Sequence, residues 1–202
     1  MEQLEVEVKF YLRDIQRLRS NLLELNLASQ GRVFETNICY EDKNNSLIQQ
    51  KTLLRLRHDG KTTLTYKSRA TTETMDFKVL NELEVEVDDL TTMGRILEAL
   101  GFHPEQKYEK WRETFILDRT ALFLDRMPYG DFLEIEGQPQ DIKHSASRLG
   151  LDWRKRILLN YLELFEIIQK KFNLKIKDLT FKDFKNLNVN LAPFLDKLEA
   201  GN

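Results

Sequence analysis

Residues 4–12 alternate strictly: Leu4, Val6, Val8 and Phe10 point one way, and Glu5, Glu7 and Lys9 the other. A period of two is the signature of a β-strand with one apolar and one polar face. Here the polar face is fully charged. The pattern returns in Leu54-Arg55-Leu56-Arg57, Thr65-Tyr66-Lys67, Glu82-Leu83-Glu84-Val85-Glu86, Lys110-Trp111-Arg112 and Leu133-Glu134-Ile135-Glu136. Strands of this kind must share a sheet that collects their charges on a single side. The spacing predicts strands over 4–12, 33–40, 53–58, 62–67, 79–87, 109–117, 121–125 and 131–136. Asp59-Gly60 supplies a tight hairpin turn, and Pro128-Tyr129-Gly130 supplies another. Helical periodicity interrupts the strands at 14–27, which stops before Gly31, and at 90–100, closed by Gly101. From residue 141 onward the reading is helical, most clearly over 153–172. About eight strands with two interspersed helices imply an α+β fold with a large antiparallel sheet or closed barrel. A parallel, doubly wound sheet fits poorly.

The 202 residues suffice for one sizeable core. The formal charge is only −2, from 31 basic and 33 acidic side chains, so bulk electrostatics offers no attraction to nucleic acid or to an anionic membrane. Any anion site must come from local segregation of charge. The one cysteine, Cys39, forms no intramolecular disulfide and has no metal-ligand spacing around it. No apolar signal region or 18-residue apolar run occurs, so a cytoplasmic protein is expected. Homodimerisation is left open.

The charged faces bring together six cations (Lys9, Arg55, Arg57, Lys67, Lys110, Arg112) and eight carboxylates (Glu5, Glu7, Glu82, Glu84, Glu86, Asp125, Glu134, Glu136). A sheet with a solvated outer face would show the same alternation. The opposite face, however, is continuously apolar and suited to cover by the helices. If the helices pack outside, the charges line the interior of a barrel. Each unpaired buried ion costs several kcal/mol, so such an interior is best read as a wet tunnel that binds a charged ligand. Guanidinium and ammonium groups suit phosphate oxygens. Carboxylate clusters suit Mg²⁺ or Mn²⁺, which commonly bridge to phosphates.

The blocks also resemble a known family. Glu5-Val6-Glu7-Val8-Lys9 matches the ExExK signature of the CYTH superfamily, the triphosphate tunnel metalloenzymes, at the N-terminus where that family carries it. The five later blocks, with Leu124-Asp125, follow in family order through residue 136, and Asn160-Tyr161-Leu162-Glu163-Leu164 is similar to the Tyr-containing end motif of bacterial members. The resemblance implies an eight-stranded antiparallel β-barrel with helices packed outside, a tunnel domain over 1–164 and a helical C-terminal extension over 165–202. It implies a metal site from Glu5, Glu7, Glu134 and Glu136, with Asp125, Glu82 and Glu84 contributing. It implies a phosphate-binding and catalytic set of Lys9, Arg55, Arg57, Lys67, Lys110 and Arg112.

Family members include class IV adenylyl cyclases, thiamine triphosphatases and inorganic tripolyphosphatases, which act on a triphosphate with a divalent metal. The expectation is therefore a Mg²⁺- or Mn²⁺-dependent hydrolase of inorganic tripolyphosphate or a nucleoside triphosphate. A class IV adenylyl cyclase is the alternative, and a non-catalytic polyphosphate or nucleotide binder a further one. Asn81 and Arg126 depart from the family pattern. Tyr40 and Asp42 resemble a family segment near the tunnel mouth and are secondary candidates. His58, His103 and His144 are scattered and are not nominated. Trp111 is expected to face away from the tunnel, and Lys155 and Arg156 to lie on a helix.

Overall fold

The computed structural model describes residues 3–70, 74–187 and 189–198. Its strands are β1 (Gln3–Leu12), β2 (Arg32–Asp42), β3 (Leu53–His58), β4 (Thr62–Arg69), β5 (Lys78–Val87), β6 (Phe102–Leu117), β7 (Thr120–Met127) and β8 (Gly130–Glu136). The helices are α1 (Ile15–Glu24), α2 (Ser46–Gln50), α3 (Leu90–Ala99), α4 (Pro139–Arg148), α5 (Tyr161–Phe172), α6 (Phe181–Lys185) and α7 (Ala192–Leu195). The strands close into one barrel in the order β1-β5-β4-β3-β2-β6-β7-β8, every pair antiparallel. Closure rests on β1, whose first half pairs with β5 (Glu7↔Lys78) and whose second half pairs with β8 (Lys9↔Glu134). The β3–β4 turn is made at Gly60, which takes a positive φ of 107° that residues with a Cβ seldom adopt.

Helices cover part of the outward faces of the strands, while Leu4 of β1 and Leu83 and Val85 of β5 stay exposed. Asp14 caps α1 by accepting the backbone N–H groups of Gln16 and Arg17. That start angle presents Ile15, Leu18 and Leu22, spaced three and four apart, to the outward Val8, Phe10 and Leu12 of β1 in one core cluster. The same cluster takes Ile142 and Ala146 of α4 and the outward Leu122, Leu124, Leu133 and Ile135. Each such leucine contributes about 1.5–3 kcal/mol by burial. Leu22→Ala, at a site with no solvent exposure, would cost about 2–5 kcal/mol. Helix α3 covers a smaller group, with Leu97 against Tyr40 and Leu56.

The C-terminal segment has another position. Inward-facing Tyr11, Cys39, Tyr108, Met127 and Phe132, at one end of the barrel, form a single apolar cluster with Tyr161, Leu164, Phe165 and Ile168 of α5 and with Leu179 and Leu195. These later residues plug that end. Two backbone attachments hold the plug. Ile157 exchanges both backbone hydrogen bonds with Lys9, at 3.0 and 2.7 Å, on the edge of β1 beyond the end of β5. Leu179 bonds Lys107 and Glu109 on the stretch of β6 that precedes its pairing with β7.

The helix expected over 153–172 therefore begins only at Tyr161. Residues 153–155 form one 3-10 turn, and the chain then runs extended so that Ile157 can pair with β1. Asn160 and Glu163 start α5 with a reciprocal capping box. The domain division expected at residue 164 falls inside this helix. Strand β6 is longer than the sequence indicated, starting at Phe102, because β2 pairs with it along its whole length up to Glu113. No helix among the described residues is long and apolar enough to cross a membrane.

Candidate active site

The interior above the plug is a chamber of about 510 Å³. Twelve of the thirteen expected site residues line it: Glu5, Glu7, Lys9, Arg55, Arg57, Lys67, Glu82, Glu84, Lys110, Arg112, Glu134 and Glu136. The thirteenth, Asp125, is fully buried at the chamber floor. Alternation along antiparallel strands is what gathers them, since every second side chain of each strand points to the barrel axis. Glu86, counted in the same row, lies instead at the rim in an exposed pair with Lys61, because β5 there runs past the start of β1 and pairs only with β4.

The chamber is organised as alternating ion pairs. Lys67 Nζ donates to both oxygens of Glu5 at 2.6 Å and lies 3.4 Å from Glu82. Lys9 Nζ bridges Glu7 at 2.6 Å and Glu134 at 2.9 Å. Arg112 grips Asp125 with two parallel bonds of 2.7 and 2.5 Å and reaches Glu134 at 3.1 Å. Lys110 lies 3.0 Å from Asp125 and 3.5 Å from Glu35. Arg57 is 3.3 Å from Asp59 and 3.5 Å from Glu84, and Arg55 donates to Tyr108 and Thr65.

The floor is made by Tyr161. Its hydroxyl donates to Asp125 at 2.8 Å, and Lys9 and Lys110 lie over its ring at 5.2 and 5.3 Å from the centroid. Asp125 thus has its oxygens engaged by Arg112, Lys110 and Tyr161.

Titration behaviour follows from these contacts. Burial and Glu134 push Glu7 upward, but Lys78, Lys9 and Lys67 outweigh them and hold its carboxyl at about 2. Burial likewise opposes the charge of Glu35, and Lys110, Arg112, Arg57 and Arg55 bring it down to about 2. Glu134 is drawn well below the ordinary range against its burial, chiefly by Lys9 and Arg112. Burial depresses Lys9 less than Glu134 and Glu7 raise it.

Glu136 differs from all of these. Among the described residues no cation is paired with it, and burial together with Glu5, Glu134 and Glu7 pushes its carboxyl up to about 7.

A divalent ion suits this donor set. Hard oxygen ligands are present at Glu5, Glu7, Glu134 and Glu136, and the mutual repulsion that raises Glu136 is what a dication would relieve. No three carboxylates among the described residues converge as a ready-made metal cage, since the lysines and arginines hold most of them apart. On the wall Arg55 Nε is buried without a hydrogen-bond partner, and Glu35 Oε2 and Arg57 Nε have only their ion-pair contacts with Lys110 and Asp59; Thr63 Oγ1 and the Asn37 amide, buried outside the lining, also lack partners.

The sequence patterns missed Glu35, Asn37, Lys78 and Tyr108. Glu35 and Asn37 share the inward row of β2 with Cys39, a row too mixed in polarity to register as a charged face. Lys78 was passed over because the strand was started one residue late, at Val79. Trp111 does face outward, where it packs against Phe34 and under Arg32. Cys39 is buried among apolar side chains, and burial pushes its thiol up to about 12, the opposite of a nucleophile's setting.

Asp42 organises the turn into α2 by accepting from Asn44 and Ser46, and Tyr40 lies beneath α3; neither lines the chamber. Arg156 binds Asp76 at 2.8 Å, and Lys155 donates to the carbonyl of Lys197, both away from the chamber.

The CYTH domain model matches residues 3–157. The chain belongs to the CYTH family. CYTH proteins are enzymes, triphosphatases or adenylyl cyclase-like, and use divalent metals. Among solved structures, the PH1012 protein of Pyrococcus horikoshii OT3 is similar at 28% identity with a TM-score of 0.66, over 79% of this chain and 98% of that one. A candidate adenylate cyclase of Vibrio parahaemolyticus matches at 18% identity and a TM-score of 0.70, over 82% and 99% of the two chains. A candidate adenylyl cyclase of Hippeastrum, HpAC1, described as having a dominant triphosphatase activity, matches at 18% and 0.61, over 82% and 95%. The last two likenesses concern the fold. No curated protein matches the chain by sequence.

Proposed function

We propose that this CYTH protein is a divalent-metal-dependent phosphohydrolase that cleaves the terminal phosphate of a triphosphate, inorganic or nucleoside-linked, inside the chamber. The observation that carries the reading is the pairing pattern. Lysines and arginines are paired with carboxylates around one pocket, and among the described residues Glu136 has no cation paired with it. A triphosphate offers acceptors that draw the cations away, and the released carboxylates then suit a dication. A ligand carrying both charges exchanges for both halves of the network with little net desolvation.

Arg55, Arg57 and Lys67 on β3 and β4 would bind phosphate oxygens from one wall, and Lys9, Lys110 and Arg112 from the other. Asp125 and Tyr161 keep the second group in position, and the apolar plug behind Tyr161 excludes water from below. From a divalent ion held among Glu5, Glu7, Glu134 and Glu136 the reaction would gain neutralisation of developing oxygen charge. Attack by water needs only positioning within this charged chamber, whereas cyclisation also needs a ribose hydroxyl aimed at the α-phosphorus. Cyclisation is the second reading. The observation favouring it is the apolar wall of Val33 and Phe123, against which an adenosine could rest. A pure anion binder is disfavoured because the chamber's carboxylates would weaken its affinity.

The test is incubation of the full chain with tripolyphosphate or ATP and Mg²⁺ or Mn²⁺, followed by chromatography. Orthophosphate with diphosphate or ADP, lost in Glu136→Gln, is expected. Cyclic AMP with pyrophosphate would replace hydrolysis by cyclisation, and absence of turnover with either metal would refute both.

A further inference from the structure

Lys78 belongs to none of the sequence blocks, yet its ammonium lines the chamber. It sits directly across from Glu7 in the β1–β5 register, and its Nζ is 2.8 Å from Glu7 Oε1. That same oxygen accepts Lys9 at 2.6 Å. Glu7 therefore carries two ammonium neighbours, while Glu136, in the same carboxylate group, carries none. Lys9 is shared with Glu134 and is needed by it. Lys78, by contrast, makes no ion pair except the one with Glu7 among the described residues. The other inward carboxylates of β5, Glu82 and Glu84, lie further along the strand beside Lys67 and Arg57. With its side chain 19% exposed, Lys78 is a half-buried positive charge held beside the Glu7 carboxylate.

We infer that Lys78 is the resident counter-ion of Glu7: it neutralises that carboxylate in the empty chamber and so disfavours binding of a divalent ion before the triphosphate arrives. The inference rests on the metal-dependent reading above and deepens it. A dication approaching Glu7 meets the ammonium of Lys78 at contact distance from the same oxygen, and must either displace it or bind against its charge. When phosphate oxygens enter, they accept the ammonium groups, and Glu7 is released. Lys78 thereby links ion uptake to substrate binding, and limits binding of free metal by an unproductive chamber. The alternative role for the residue is a plain phosphate-binding lysine, which would affect substrate affinity and leave metal affinity in the empty chamber unchanged.

The two roles separate in a titration of substrate-free full chain with Mn²⁺, following free Mn²⁺ by electron paramagnetic resonance. Lys78→Gln is expected to bind Mn²⁺ at least about tenfold more tightly than wild type, because one repelling charge is removed at short range. Lys78→Arg, which keeps the charge, is expected to match wild type. Equal affinities for wild type and Lys78→Gln would overturn the inference, as would tighter binding in Lys78→Arg to the same degree. Glu7→Gln guards against a folding artefact in the lysine variant. If Lys78 repels the ion through its charge, loss of the carboxylate leaves that charge bare, so Glu7→Gln is expected to bind Mn²⁺ more weakly than wild type, and equal or tighter binding in Glu7→Gln would also refute the idea. Hydrolysis of tripolyphosphate by wild type, measured separately, decides the parent reading. Its failure would leave the binding difference between wild type and Lys78→Gln as an independent result.

Discussion

Asp125→Asn should destabilise the protein strongly in the absence of ligand, and much less in its presence. The carboxylate is fully buried, anchors Arg112 with two bonds, lies 3.0 Å from Lys110 and accepts the Tyr161 hydroxyl. Asparagine keeps the shape and can still accept from Tyr161, but leaves two buried cations short of a counter-charge. Removing one partner of a buried pair costs about 3–5 kcal/mol. Glu134 and Glu35 remain 3.1 and 3.5 Å from the two cations and soften the loss, so about 3 kcal/mol is the working figure.

Against a typical total of about 5–15 kcal/mol the fold survives. For a chain of this length the melting point should fall by about 6–12 °C. The assay is urea unfolding followed by circular dichroism, with and without tripolyphosphate. Phosphate oxygens supply the missing negative charge, so saturating ligand should recover at least half of the loss. A stability change under about 0.5 kcal/mol without ligand would refute the argument that Asp125 holds the two cations. Tyr161→Phe serves as the control: it removes one hydrogen bond and no charge, and should cost about 1–2 kcal/mol whether or not ligand is present.

Glu136 gives a pH prediction. Its folded-state value, about 7, lies above the ordinary 4.5, so the folded protein holds this proton more tightly than the unfolded chain. The corresponding stability is fully present below about pH 4.5 and is lost as pH rises to about 7, by up to about 3 kcal/mol. In metal-free protein the slope of unfolding free energy over that window should flatten in Glu136→Gln, and an unchanged slope would contradict it. Ile168→Ala, in the fully buried centre of the plug, should cost about 2–5 kcal/mol and raise binding of an apolar dye, as thermal melts and dye fluorescence would reveal. A neutral result would mean that α5 does not seal the barrel.

Much of the barrel was legible because its strands carry two independent signals, charge inward and apolar residues outward, in phase. Glu5, Glu7, Arg55, Arg57, Glu134 and Glu136 could be placed by alternation alone. Strand β2 hid its share because its inward row runs Glu35, Asn37, Cys39, and its outward row includes Thr36. The 153–172 stretch misled because Trp153, Ile157 and Leu158 fall at helical spacing, yet Ile157 is drawn out by the free edge of β1, a tertiary partner 148 residues distant. The stripe of α5 revealed an amphipathic helix and gave no sign that its apolar side would enter the barrel end. Asp125 could be recognised as part of the charged set, but its commitment to Arg112, Lys110 and Tyr161 depends on three separate elements meeting.

The pairing of β1 with late parts of the chain has a kinetic consequence. Strand β1 is joined by β5, then by β8, and last by the backbone of Ile157. During synthesis, therefore, the Glu5-to-Lys9 row and its apolar reverse side emerge long before any of those partners exist. Contacts so remote in sequence slow the search for the native topology and lengthen the lifetime of open-sheet forms with exposed edges. The alternating charges of β1 then do duty before any substrate is met: an edge carrying Glu5, Glu7 and Lys9 resists adopting the wrong neighbour while it waits.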